Sequence, residues 1–181
     1  MTVNCEDLIR LIVWYASRRG EKLTTLRLVK FLYLEDLYHA RVSKGTTLTG
    51  WPWAFVHFGP YCQEAMSAID RAGKNDSFQV NEQPSKYDDE KDYRLFWMED
   101  VDEEPEIISR LNTSVWSKLQ WAIQRWADDT SGLLDYVYFE TEPMIDAKPG
   151  EILDFGKARM PDLPKKIQMK KFGRWRSTFP E

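Results

Sequence analysis

Histidine and cysteine are almost missing from this chain: His39, His57, Cys5 and Cys62 are the only ones in 181 residues. Zinc sites need closely spaced thiols and imidazoles, and these four offer neither a C-x-x-C nor an H-x-x-x-H spacing, so no metal is expected. Two isolated cysteines make no disulfide framework. Cys62 falls on the apolar repeat of a helix and reads as a core residue rather than the partner of His57. Phosphate-binding glycine loops, G-x-S-x-G elbows and kinase signatures are also lacking. Long apolar runs are absent too. The longest near the N-terminus covers residues 11–16, far below the roughly 20 apolar residues of a membrane span. No basic, apolar and small-residue succession marks a secretory leader. The expectation is a cytoplasmic protein without membrane association.

What is abundant is aromatic. Eight Trp, eight Tyr and nine Phe make up 14% of the chain, enough to build a core around large flat side chains and leave some for a partner. The length suits one domain that buries roughly two thirds of its unfolded surface. A formal charge of −4 hides a strong polarity. Residues 82–106 hold eleven acidic and three basic side chains, net −8, whereas residues 157–181 hold eight basic and two acidic, net +6. Such runs serve either as solvated faces or as partner-binding surfaces.

Apolar spacing of three and four predicts a first helix over residues 5–19, through Leu8, Ile9, Ile12 and Tyr15. A second is expected from an N-cap at Thr24 to a stop before Gly45, apolar on most sides and central. Its exceptions are Arg27 and Lys30, then Glu35, Asp36 and His39, which must meet water or find partners. Residues 46–58 read as an extended piece, irregular at Pro52. Gly59-Pro60 reads as a turn with Pro60 in the first turn of a third helix, which ends before Gly73. Residues 93–98 are expected to be a strand, paired with residues 77–80. One long helix is expected over residues 107–127, closed by Asp128-Asp129. A fifth follows from a cap at Thr130 or Ser131, and then a segment punctuated by Pro143. The expected class is mainly α: about five helices with a small β element over residues 1–156, then an extended basic tail over residues 157–181.

The nearest approach to catalytic equipment is Glu35, Asp36 and His39. Spacings of three and four put a carboxylate beside His39 on one helical face, as an acid–base hydrolase would need. The same residues also suit an ion pair, or an Asp36 that ties down the extended segment after the helix. The tail interleaves Lys165, Lys166, Lys170, Lys171, Arg174 and Arg176 with Phe172 and Trp175. That mixture suits phosphate contacts and base stacking, or docking on an acidic protein face. Since the preceding domain is acidic and would repel a nucleic-acid backbone, a protein partner is the expectation.

The run Leu28-Val-Lys30-Phe-Leu32-Tyr33-Leu-Glu-Asp36, then Leu48-Thr-Gly50, then Phe58-Gly59-Pro60, resembles the Panacea-domain antitoxins, phage-associated members included. Those proteins carry a Lys-x-Leu-Tyr helix, a Thr-Gly entry and an aromatic-Gly-Pro turn. Leu133 to Phe139, continuing to Pro143 and Ala147, is similar to the family's last shared element, so the likeness spans residues 5–155. Tyr61 stands where the family has Val, and Phe139 where many members have His. The resemblance implies a compact helical domain, no cofactor, and neutralisation of a co-encoded toxin by direct binding; some relatives instead present a toxin to a protease. It marks Lys30, Tyr33, Asp36, Gly50, Gly59, Pro60 and Pro143 as structural or partner-binding positions.

Overall fold

A computed structural model describes residues 3–57, 59–75, 78–84 and 92–159, and it is mainly α with a minor β component. The first helix, α1 (Cys5–Arg18), starts where the Asn4 side chain accepts from the Glu6 N–H at 3.0 Å. It buries Leu8, Ile9, Leu11, Ile12, Val13 and Trp14. A two-residue strand, β1 (Leu23–Thr24), leads into α2 (Thr25–Val42), and Thr24 caps that helix by accepting from the Arg27 N–H. Twelve of the 18 residues of α2 are buried, so it is the axis of the domain. It packs on α1 and on the three helices that follow it, and each large apolar side chain so buried contributes about 1.5–3 kcal/mol.

After α2 the chain runs irregularly to a hairpin of β2 (Ala54–Val56) and β3 (Gly59–Tyr61), paired Ala54↔Tyr61, Phe55↔Pro60 and Val56↔Gly59. Pro60 is therefore in a strand and not in a helical first turn. The next helix, α3 (Gln63–Lys74), begins after Cys62 and passes through Gly73. Pro60 is tolerated because β3 pairs on one side only, where the missing N–H costs little. The expected strand pair forms as β4 (Gln79–Pro84) and β5 (Asp92–Trp97), and β5 also takes β1, giving the order β1-β5-β4. Residues 85–91 of the acidic segment lie outside the described residues.

The single long helix expected over residues 107–127 is two elements. A 3-10 turn (Glu106–Arg110) ends at an extended Leu111, and α4 (Thr113–Trp126) starts afresh. The cause is Asn112, whose side-chain oxygen accepts from the N–H groups of Ser114 and Val115 at 3.0 and 3.3 Å. Such a cap stabilises a helix start and competes with continuing the turn before it. In the same way Asp129, not Thr130 or Ser131, caps α5 (Thr130–Glu140) by accepting from the Gly132 N–H at 2.8 Å. The Pro143 segment is itself a single turn, α6 (Glu142–Ile145), with Pro143 where its absent N–H is not needed. Among the described residues this makes six α-helices where about five were expected.

Residues 157–159 do not begin an extended tail. A 3-10 turn (Phe155–Arg159) packs against α2 and α6, and Ala158 is buried in the core. Lys165, Lys166, Lys170, Lys171, Arg174, Trp175 and Arg176 lie outside the described residues. No helix among the described residues is long and apolar enough to cross a membrane.

Candidate functional site

A helix buried on nearly all sides should be apolar on nearly all sides, yet α2 carries Lys30, Glu35 and Asp36 with 4%, 0% and 0% exposure. Burying a polar side chain is costly unless it is hydrogen-bonded. Three polar groups, one per turn of the helix, meet that demand by reaching across to other segments. Lys30 donates from Nζ to the Pro60 carbonyl at 2.9 Å. Burial pushes its ammonium down to about 7. Tyr33 shares a hydrogen bond with Thr141 Oγ1 at 2.9 Å, and that hydroxyl also donates to the Val137 carbonyl at 2.5 Å. Asp36 accepts from the Thr49 N–H at 2.9 Å, the Thr49 hydroxyl at 2.5 Å and Trp53 Nε1 at 2.7 Å. Burial raises the Asp36 carboxyl above its ordinary range, while the bonds from Thr49 and Trp53 oppose that rise.

These three ties hold three different segments on one helix: the β2–β3 hairpin, the irregular stretch before it, and the α5–α6 junction. The marked glycines serve the same segments. Gly50 has φ 71° and its N–H bonds Thr47 Oγ1. Gly59 has φ 96°, and a Cβ there would lie 3.1 Å from the Tyr138 ring. Tyr138 in turn donates to the His57 carbonyl at 3.4 Å, so the hairpin is gripped by Lys30 from α2 and by Tyr138 from α5. Pro143 is buried next to Glu142, which accepts two bonds from Arg41 at 3.0 and 2.7 Å. The marked residues thus come together around α2 as an internal frame.

Glu35, Asp36 and His39 are not joined in that way. His39 uses Nδ1 on the Thr46 carbonyl at 3.0 Å and Nε2 on Ser43 Oγ at 3.4 Å. Asp36 is committed to Thr49 and Trp53, and both Glu35 oxygens are buried without a hydrogen-bond partner among the described residues. Burial, and then the neighbouring Asp36, raise the Glu35 carboxyl well above its ordinary 4.5. Cys62 donates to Glu64 Oε2 at 3.0 Å, and burial pushes its thiol up to about 11, the wrong direction for a thiolate nucleophile. Among the described residues no group of three His, Cys, Asp or Glu side chains is placed to hold a metal ion.

Several anchors are not among the marked positions. Arg27 clamps the end of α4, donating to the Ala127 and Asp128 carbonyls and to Thr130 Oγ1. Arg41, Thr141 and Tyr138 are likewise ordinary residues until the fold brings their partners near. A charged residue on an otherwise apolar helix was the available clue for Arg27 and Arg41. Comparison with family models, with curated proteins and with solved structures finds no match.

Proposed function

We propose that this chain is an antitoxin of the Panacea type, which neutralises a co-encoded toxic protein by binding it and not by modifying it. What supports the reading is the use made of the marked side chains. Lys30, Tyr33 and Asp36 spend their polar groups on Pro60, Thr141, Thr49 and Trp53. They are tethers that fix the segments after α2, as a rigid recognition domain requires, and among the described residues no hydrogen bond joins His39 to Glu35 or Asp36 as an acid–base dyad would need. A domain held this way enters a complex with its surface loops already ordered, which lowers the entropy cost of association.

Co-expression with the adjacent reading frame tests it directly. Growth rescue, co-elution on a sizing column and an unchanged intact mass of the partner are expected. Rescue with a covalent mass change and no co-elution would make this an enzyme; rescue only in the presence of an intact cellular protease would make it an adaptor.

A further inference from the structure

The outer face of α4 differs from the rest of this acidic protein. Beyond its first residue, Thr113, its exposed residues are Ser114, Ser117, Lys118, Trp121, Gln124 and Arg125, spaced three and four apart, and α4 contains no carboxylate. Trp121 is 52% exposed, the most exposed of the described aromatic side chains. Its ring is nevertheless held. It meets Trp126 edge-on at 5.1 Å and Tyr136 at 6.3 Å, and those two stack on each other at 4.5 Å. A tryptophan fixed from behind and open in front loses little rotamer freedom when a partner covers it.

The other cations next to aromatic rings are already taken up within the chain. Arg18 lies over Trp14 and Lys22 over Trp97, whereas no cation of the described residues covers Trp121. Lys118 and Arg125 flank that ring at three and four residues' distance and form no ion pair among the described residues. The first carboxylates after the helix in sequence are Asp128, Asp129, which is committed to capping α5, and Asp135.

We propose that this face of α4 is the surface that takes the protein partner, and that the partner presents an apolar slot for Trp121 rimmed by carboxylates for Lys118 and Arg125. This rests on the protein-binding reading above and names the chemistry of its partner. The assignment follows from charge complementarity, because an acidic chain that keeps one helix free of carboxylates, with two cations beside an open tryptophan that form no ion pair among the described residues, repels an acidic partner from most of its surface but not from there. A buried Trp with an adjacent Arg is also the composition that dominates interface energies.

The test uses the full chain, with the protein encoded by the adjacent reading frame as the probe. Affinity is measured at low and high salt for the parent, Trp121→Ser and the double variant Lys118→Glu, Arg125→Glu, with melting curves to show that each is folded. Expected are a loss of roughly thirtyfold or more for Trp121→Ser and, for the double variant, slower association with its salt dependence reduced. Parent-like affinity in both variants overturns the α4 surface while leaving the antitoxin reading in place. No binding and no growth rescue by the parent overturns that reading and the surface with it. Two further outcomes overturn the proposal in favour of other occupants: a dimer of the chain alone that Trp121→Ser converts to monomer, or a fluorescein-labelled oligothymidylate that binds the parent and not the variants.

Discussion

Replacing Glu35 by glutamine should stabilise the domain at neutral pH, and the gain should grow with pH. Glu35 is fully buried and neither oxygen finds a donor among the described residues, so the folded state holds this carboxyl protonated above its ordinary 4.5. The unfolded chain releases that proton near 4.5 and the folded chain does not. Between those two points the folded state binds more protons, and stability falls as pH rises, by about 1.36 kcal/mol per pH unit. From pH 4.5 to 7 the penalty accumulates to roughly 3 kcal/mol at most. Below pH 4.5 both states are protonated, so Glu35→Gln and the parent should nearly coincide there. Urea denaturation at steps from pH 4.5 to 7.5 measures the difference, with Glu35→Met as a second variant that also removes the unsatisfied polar atoms. Asp36 is raised in the same direction but is common to all three proteins. A difference between Glu35→Gln and parent that does not change with pH would refute the reasoning, and a variant less stable than parent at pH 7 would show that the carboxylate has a partner.

Lys30→Met probes the opposite sign. With its ammonium pushed down to about 7, the unfolded chain holds the extra proton between there and 10.5, so the parent should gain stability across that interval while the variant stays flat, as parallel melting curves at pH 6 and 10 would show. Asp36→Ala leaves the Thr49 N–H and the Trp53 indole N–H without their acceptor in the interior and should cost roughly 2–4 kcal/mol. Hydrogen exchange at Thr49 should rise with it; an unchanged midpoint in urea would show that the tether is dispensable.

The helical frame could be read from spacing because α1 and α2 are long and periodic, and because Thr24 is a cap that needs only local geometry. The β4–β5 pair was visible for a similar reason, as an apolar, aromatic run at residues 93–98 facing a short partner. What failed was competition between local signals. Asn112 caps as well as Ile107 and Ile108 propagate, and nothing in the apolar repeat shows that the cap wins. Pro60 fits a helical first turn and an edge strand equally well until Phe55 is known to lie opposite. The candidate site shows the same division. Lys30 and Asp36 stood out as charges on an apolar helix, but the partner of Lys30 lies 30 residues away, those of Asp36 lie 13 and 17 away, and that of Tyr33 lies 108 away. Those pairings exist only once the tertiary fold has closed.

The three tethers and Glu35 follow from one physical circumstance, the burial of α2. A polar group at its surface cannot reach water, so each must be satisfied by a neighbouring segment or remain a liability. Lys30, Tyr33 and Asp36 bind Pro60, Thr141, Thr49 and Trp53, and each such bond locks a segment that would otherwise be a loop. Hydrophobic side chains of equal size would add more stability per residue, but apolar contact is non-directional and would not fix the hairpin against α2 in one register. The polar choices therefore trade stability for a defined arrangement of the segments after α2. Glu35 bears that cost without such a return, since it tethers nothing among the described residues. Removing its charge should therefore raise stability, whereas removing Asp36 should lower it, although the two are adjacent carboxylates with the same exposure.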